Sequence, residues 1–218
     1  MNCNHHPDDS TLLSYGACSL PDALSMVVAC HLAVCDHCHD KVADAELIGL
    51  GLMEQEPVES ISKSSRDSML AMLDEPVDEA YSETRTIPDD QPDGDIPAPL
   101  RPMIGQWFSD LHWRTMAPGM KQFILPASQG KLRLLKISPG TFMPSHGHSG
   151  SELTLVLKGS YSDELGRFSV GDVADVDPDI THQPVADTHE GCICLVATDG
   201  PLRFKGLVPR LLQPFFQL

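Results

Sequence analysis

The chain has 218 residues, of which 41% are hydrophobic and 21% charged, and its formal net charge is −16. That length accommodates one large domain or two small ones. Asp and Glu outnumber Lys and Arg by 20 to 4 in residues 1–99, a net of −16, whereas residues 100–218 hold 11 of each. The charge therefore argues for two domains. So acidic a first part disfavours direct DNA binding and favours a basic protein surface as its partner.

Location follows from composition in the same way. No apolar run is long enough to cross a bilayer, and the N-terminus lacks a basic region followed by an apolar one. The seven cysteines, an odd number, do not indicate a secreted disulfide framework. A reducing cytoplasm without membrane contact is the expected location.

An HxxxCxxC motif is the strongest chemical feature of the first part. His31, Cys35 and Cys38 lie at positions i, i+4 and i+7, which fall on one face of a helix. Two thiolates and one imidazole supply three of the four tetrahedral ligands that zinc prefers. The fourth must come from elsewhere, and His6 and His5 are the nearest upstream candidates. The alternative interpretation is a buried helix with small Cys side chains in its core.

Helical periodicity predicts four helices before residue 75. They cover about 9–18 with Asp8, Asp9 or Ser10 as the cap, Ser19 or Asp22 to Cys35, about 36–53, and 64–74. His37 and His39 lie off the ligand face and are expected to be solvated. In the fourth helix, Met69, Leu70, Met72 and Leu73 either pack back onto their own bundle or dock in a partner's groove.

The rest of the chain changes character twice. Asp, Glu, Pro and Gly dominate from Glu75 to Pro99, which is typical of an extended linker. Short strands then recur every ~8–12 residues, which predicts an all-β sandwich or barrel. Strand candidates are KQFIL, KLRLLKI, LTLVLKG, GRFSV, ADV, GCICLVAT and PLRFKG. We expect a zinc-binding helical domain over 1–75, a linker over 76–99 and a metal-binding β domain over 100–218.

A second group of metal ligands lies in this β half. His146, His148 and Glu152 are separated by even numbers, so on a regular strand all three would face the same side. His182 on a later strand is the best candidate to complete the set. Three imidazoles and a carboxylate suit Zn, Fe, Mn, Ni or Cu. The alternative is a set of histidines on a surface hairpin.

The same residues carry a family resemblance. Residues 140–159 match the first cupin motif, G(x)5HxH(x)3E(x)6G, at every fixed position. The second cupin motif is looser: Gly171, Pro178 and His182 are present, but the glycine between the proline and the histidine is missing. An HxxxCxxC helical domain followed by a cupin resembles the ChrR-type zinc anti-sigma factors over essentially the whole chain. The stretches that carry the resemblance are HHPDDSTLLSYGAC, SMVVACHLAVCDHC, HGHSGSE and THQPVA.

The resemblance implies a multidomain protein with a small zinc-stapled α-helical bundle followed by an all-β cupin barrel, a double-stranded β-helix. It places the first zinc on His6, His31, Cys35 and Cys38, and the second metal, zinc in the family, on His146, His148, Glu152 and His182. In the family, the zinc domain keeps an extracytoplasmic-function sigma factor from RNA polymerase, and the cupin is associated with the response to singlet oxygen. The implied function is an anti-sigma factor, not an enzyme.

Two other functions and the role of three cysteines stay open at this point. A metal-dependent cupin enzyme, such as a dioxygenase or isomerase with an accessory zinc domain, is the main alternative, with His189, Glu190 and Tyr161 as candidate catalytic groups. A two-domain binding protein with a small ligand in the cupin is another. Cys192 and Cys194, at i and i+2 on one strand face, are either an oxidisable pair or small core side chains, and Cys30 is a spare thiol that points away from Cys35.

Overall fold

The computed structural model describes residues 3–57, 60–74 and 96–204. The chain forms two compact units, one of Met1–Leu47 together with Pro92–Leu218 and the other of Ile48–Gln91. The predicted boundaries at residues 75 and 99 stay a prediction, because most of the expected linker lies outside the described residues. The helices are α1 (Asp9–Gly16), α2 (Asp22–Leu32), α3 (Asp36–Met53), α4 (Lys63–Met72) and the short α5 (Arg101–Ile104).

The four predicted helices of the first part are confirmed, with local chemistry that explains where they begin. The Asp8 carboxylate caps α1 by accepting a hydrogen bond from the Thr11 amide at 2.6 Å. The Ser62 hydroxyl caps α4 in the same way through the Ser65 amide. The second helix was predicted too long, because α2 ends at Leu32 and a turn precedes Cys35.

Eleven strands are present in the described residues, and every predicted strand is among them. Those that were not predicted are β1, β4, β8 and β9; β4 and β8 have three and two residues, too short for alternation to be recognised. The strands are β1 (Arg114–Ala117), β2 (Met120–Leu125), β3 (Lys131–Ile137), β4 (His146–His148), β5 (Glu152–Asp163), β6 (Gly166–Ser169), β7 (Val173–Val176), β8 (Thr181–His182), β9 (Val185–Ala186), β10 (Cys192–Thr198) and β11 (Leu202–Phe204).

These strands form two sheets. The larger has eight strands in the order β1-β2-β3-β10-β5-β6, with β7 and β9 also paired to β5. The smaller has the order β11-β4-β8. In the smaller sheet, His146 lies directly opposite His182, so the pairing of β4 with β8 places these two imidazoles side by side.

The larger sheet is buried on both faces, and its three central strands show this in their alternation. One set of side chains shares a hydrophobic core with α2, whereas the intervening set lines a second core inside the β-sandwich. On β10 the first set is Ile193, Leu195 and Ala197 and the second is Cys192, Cys194 and Val196. The helix α2 therefore covers one face of the sheet, and the candidate metal ligands of the β half lie on the other side.

In the ranges that the structure describes, no helix combines the length and the apolar character that crossing a membrane requires.

Replacing Leu195 by Ala tests the core shared by α2 and the sheet. Leu195 is completely buried, so we expect Leu195→Ala to lower the free energy of unfolding by about 2–5 kcal/mol. Denaturant unfolding followed by circular dichroism measures the change. Leu165→Ala, at a residue 41% exposed, is the matched control and should stay within about 0.5 kcal/mol of the parent. Equal losses in both variants would contradict a core at this position.

Candidate metal centres

The first predicted ligand set is brought together in the structure. His6 Nδ1 lies 3.4 Å from Cys35 Sγ and 3.3 Å from Cys38 Sγ, and His31 Nε2 lies 3.3 Å from Cys38 Sγ. One ligand atom from each of the four residues lies within 4.8 Å of the others. Such spacing is what four ligands around one tetrahedral cation require. Of the two upstream candidates, His6 joins the cluster, and His5 instead packs its ring on Phe168.

The three HxxxCxxC residues of this cluster come from three successive elements rather than from one helix. His31 is in the last turn of α2, Cys38 is in the first turn of α3, and Cys35 lies in the break between the two helices. The prediction that a single helix face presents the motif is therefore wrong. The helix breaks after Leu32, so the cysteines reach His31 from the following turn. His37 and His39 are exposed, as predicted.

The orientation of His31 is set by a hydrogen bond at its far nitrogen. Nδ1–H donates to the carbonyl oxygen of Gly171 at 2.8 Å, which leaves the lone pair of Nε2 directed at the cluster. Burial lowers the pKa of His31, so the imidazole is neutral, the form that binds metal. Burial and the neighbouring Cys35 raise the pKa of Cys38 to about 12. A bound cation stabilises the thiolate form of such buried thiols, so the donor set fits zinc.

Two other cysteines lie near this centre but differ in their surroundings. Burial, together with the charge of Cys35 and a hydrogen bond to it, raises the pKa of Cys3 to about 11. Sequence reasoning missed this contact, since nothing in the spacing of Cys3 relates it to Cys35. Cys30 is buried outside the cluster, and burial raises its pKa to about 12.

The second predicted ligand set also converges, and all four residues are buried. His148 Nε2 lies 3.2 Å from His182 Nε2, His148 Nδ1 lies 3.4 Å from a Glu152 oxygen, and His182 Nε2 lies 4.0 Å from the other. The ligand atoms of the set lie within 4.8 Å of one another. The strand that would carry His146, His148 and Glu152 is not regular throughout. A bend over 149–151 separates β4 from β5, so the ligands come from both sheets.

Hydrogen bonds at the rear of the second cluster orient its imidazoles. His182 Nδ1–H donates to the Asp163 carboxylate at 2.8 Å, and His146 Nδ1–H donates to the Pro144 carbonyl at 2.9 Å. Each of these bonds leaves the Nε2 lone pair facing the cluster. His148 Nδ1 is buried without a hydrogen-bond partner. A bound cation satisfies such a set of inward-facing lone pairs, so the residues fit a divalent metal.

The protonation of the second cluster points the same way. Burial and neighbouring imidazoles lower the pKa of His146 to about 4 and that of His148 to about 3, so both are neutral near pH 7. Burial opposes charge on His182, but its bond to Asp163 and the charge of Glu152 leave its pKa raised. Burial raises the pKa of Glu152. A buried carboxyl group beside neutral imidazoles gains most from a cation.

A cavity adjoins the second cluster inside the β-sandwich. His146, Glu152 and His182 form part of its wall, together with Tyr161 and Cys194. Its lining also includes Arg133, Thr154, Thr198 and several apolar side chains. His189 and Glu190, two of the three groups named for the enzyme alternative, are exposed and are not part of the wall.

Several supporting residues were not found from the sequence. Asp163 is hydrogen-bonded to His182, which is 19 residues away in the sequence, and Gly171 is hydrogen-bonded to His31, which is 140 residues away. Asp172 binds the backbone of the residues that precede His6. Gly171 drew notice as part of the looser second cupin motif, but nothing linked it to the first centre.

The two clusters and the fold define a class: a protein in which a helical His/Cys cluster able to hold a metal accompanies a cupin-like β-sandwich. The family model of the ChrR cupin-like domain matches residues 103–202. The chain is 41% identical to the anti-sigma-E factor ChrR of Cereibacter sphaeroides, over 100% of both chains. The crystal structure of Rhodobacter sphaeroides SigE in complex with the anti-sigma ChrR superposes with a TM-score of 0.78 at 39% identity, covering 91% of this chain and 100% of that one. The chain therefore belongs to the ChrR family of anti-sigma factors, which are regulators and not enzymes.

Metal content tests both centres at once. We expect the purified chain to hold two equivalents of divalent metal, and Cys35→Ser and His148→Ala to hold about one each, because each removes a ligand from one cluster. Elemental analysis by mass spectrometry measures the ratio. Cys18→Ser, at an exposed free cysteine outside both clusters, is the matched control and should keep two equivalents. Loss of both metals in either ligand variant would contradict two separate centres.

Proposed function

We propose that this chain is an anti-sigma factor that binds an extracytoplasmic-function sigma factor and keeps it from RNA polymerase. Family membership over the full length supports this, since the relative seen in the crystal is in complex with SigE. The proposed site of action is the cytoplasm, where the polymerase works. We assign sigma binding to residues 1–75, a connecting role to 76–99 and signal reception to 100–218.

The observation that carries the proposal is an apolar surface in the unit Ile48–Gln91. No residue of α4 is buried, and Met69, Leu70 and Met72 are each at least 50% exposed. Large exposed apolar side chains of this extent mark protein interaction sites. We call the set the docking surface: Ile48, Leu50, Leu52, Met53, Ile61, Met69, Leu70, Met72 and Leu73, each at least 50% exposed.

Charge complements this docking surface. The first 99 residues carry the whole net charge of −16, and a sigma factor must present basic surface to promoter DNA. Opposite charge accelerates encounter and selects the partner, whereas buried apolar anchors supply most of the affinity. Methionine is suited to such anchors because its unbranched side chain adapts to irregular grooves.

We assign zinc to both centres, and the second could also hold another divalent metal. A Cys₂His₂ set is a closed structural zinc site, which staples a helical region with a thin core of its own. Four protein ligands at the second centre would likewise leave no open position for substrate, which favours a regulatory role over the dioxygenase or isomerase alternative.

We further propose that the cupin half receives an oxidative signal of the singlet oxygen type and that the sigma factor is then released. The oxidisable groups at its metal cavity support this. Cys194 lines the cavity and its thiol is hydrogen-bonded to that of Cys192, two residues away on the same face of β10. The bond to Cys192 and burial raise the pKa of Cys194 well above its usual range, so Cys194 is held as a thiol.

Charged substitutions in α4 test the docking surface. We expect the double variant Met69→Glu with Leu70→Glu to weaken sigma-factor binding by about tenfold or more, because both side chains are exposed anchors. Its unfolding free energy should stay within about 0.5 kcal/mol of the parent. Isothermal titration with a purified sigma factor and denaturant unfolding measure the two quantities. Ile124→Glu, an exposed residue of β2, is the control; an equal loss of binding there would argue against this surface.

The thiol pair is tested separately from binding. If Cys192 and Cys194 receive the signal, changing both to Ser should abolish release of the sigma factor under singlet oxygen while leaving its affinity in the dark unchanged. Release is measured by size-exclusion chromatography of the preformed complex after illumination with a photosensitiser. Cys18→Ser serves as the control and should respond like the parent. Undiminished release in the double variant would leave the pair as core side chains only.

A further inference from the structure

The N-terminal arm, residues 3–8, is held against the turn between β6 and β7. The Asp172 carboxylate accepts hydrogen bonds from the amides of Asn4 at 2.6 Å and His5 at 3.1 Å. The amide of Val173 donates to the carbonyl oxygen of His5 at 3.1 Å. Further along, the amide of Asp8 donates to the Asp175 carboxylate at 3.0 Å. His6 therefore lies between two anchored stretches of backbone.

Asp172 is well suited to this role because it is itself fixed. Only 1% of the residue is exposed, and its second oxygen accepts a hydrogen bond from the Ser169 amide at 2.8 Å. The neighbouring Gly171 donates its amide to the Val156 carbonyl at 2.9 Å, which ties the turn to the central strand β5. Bonds to an ionised acceptor are stronger than neutral ones, so a buried carboxylate that accepts three backbone amides forms a firm anchor.

The same turn reaches the first metal cluster from a second direction. The Gly171 carbonyl accepts the Nδ1–H of His31, as described above. Both histidines of the first cluster are thus positioned by adjacent residues of one turn, His31 by Gly171 directly and His6 through Asp172 and the arm. Both cysteines, in contrast, belong to the stretch between α2 and the first turn of α3.

Aromatic contacts continue from the arm toward the second centre. The His5 ring lies 4.4 Å from that of Phe168, and Phe168 stacks on Tyr161 at 5.0 Å. Tyr161 lines the cavity beside the second cluster, and its hydroxyl is buried without a hydrogen-bond partner. A continuous series of packed rings therefore runs from that cavity to the residue next to His6.

We propose that Asp172 is a positioning residue for the first metal centre, so that the β6–β7 turn of the cupin half controls how tightly the helical part holds its metal. The inference rests on the first centre of the proposed function, and it adds that the β-sandwich holds two of that centre's four ligands in place. Groups that orient metal ligands from behind typically change metal affinity 10–100-fold when they are removed. Any shift of the turn is transmitted to both histidine ligands together.

Cobalt substitution in the full-length chain tests this role. Co²⁺ bound by the two cysteines gives a thiolate-to-metal charge-transfer band, whereas the second cluster has no cysteine ligand and gives none. Titrating Zn²⁺ against this band measures the affinity of the first centre alone. We expect Asp172→Asn to weaken Zn²⁺ binding there about 10–100-fold, with the metal of the second centre retained. Asp177→Asn, at an exposed residue in the loop after β7, should match the parent.

The outcomes separate the two levels of the argument. An affinity in Asp172→Asn equal to that of the parent overturns the positioning role while leaving the centre in place. A parent chain without the charge-transfer band overturns the centre, and the inference with it, but leaves sigma-factor binding to be judged by its own titration. If Asp172→Asn fails to fold, Asp175→Asn loosens the arm on the other side of His6. That variant should also weaken the first centre, and an unchanged affinity there overturns the proposal.

Discussion

Burial of both faces of the central sheet is the constraint on which the rest of the structure depends. The strands β3, β5 and β10 present one set of side chains to α2 and the other to the interior of the sandwich. Neither set could remain in water without a large cost in free energy, because one consists of Leu, Ile and Ala side chains and the other mainly of Leu, Ile, Val and Cys. The helix α2 is therefore held to the sheet, and this contact brings the turn after β6 next to the His/Cys cluster.

The imidazoles of the two candidate metal centres are oriented in the same way, although the other ligands differ. In each, an imidazole donates one N–H to a backbone or carboxylate oxygen and directs its remaining nitrogen inward. The first draws its thiolates from a helix break, and the second draws its carboxylate from the start of β5. The residues that support the first centre, Gly171 and Asp172, are distant in sequence from its ligands. The ligands of the second centre come from the two sheets of the sandwich.

Much of this could be predicted from the sequence where the signal is local. Capping residues and apolar periodicity predicted α1 to α4, and the ligand spacing predicted three residues of each cluster, whereas the choice of His6 over His5 came from the family resemblance. The breaks after Leu32 and His148 were missed, because regular spacing along a sequence does not reveal that the backbone bends. Contact between the helical and β parts was also missed, although the unbroken apolar runs LTLVL and CICLVA are typical of strands covered on both faces. Partners such as Gly171 and Asp172 have no local signal at all.

The bond between Asn4 and Asp172 spans 168 residues, and this separation bears on how the protein is made. A ribosome that has finished the cysteines has still to synthesise more than half of the chain before the anchor for His6 emerges. The helical region has therefore left the ribosome well before Asp172 is available to hold the backbone beside His6. Contacts so distant in sequence form late and slowly, so in the nascent chain the anchor of the N-terminal arm forms only after the turn that carries Asp172 has been made.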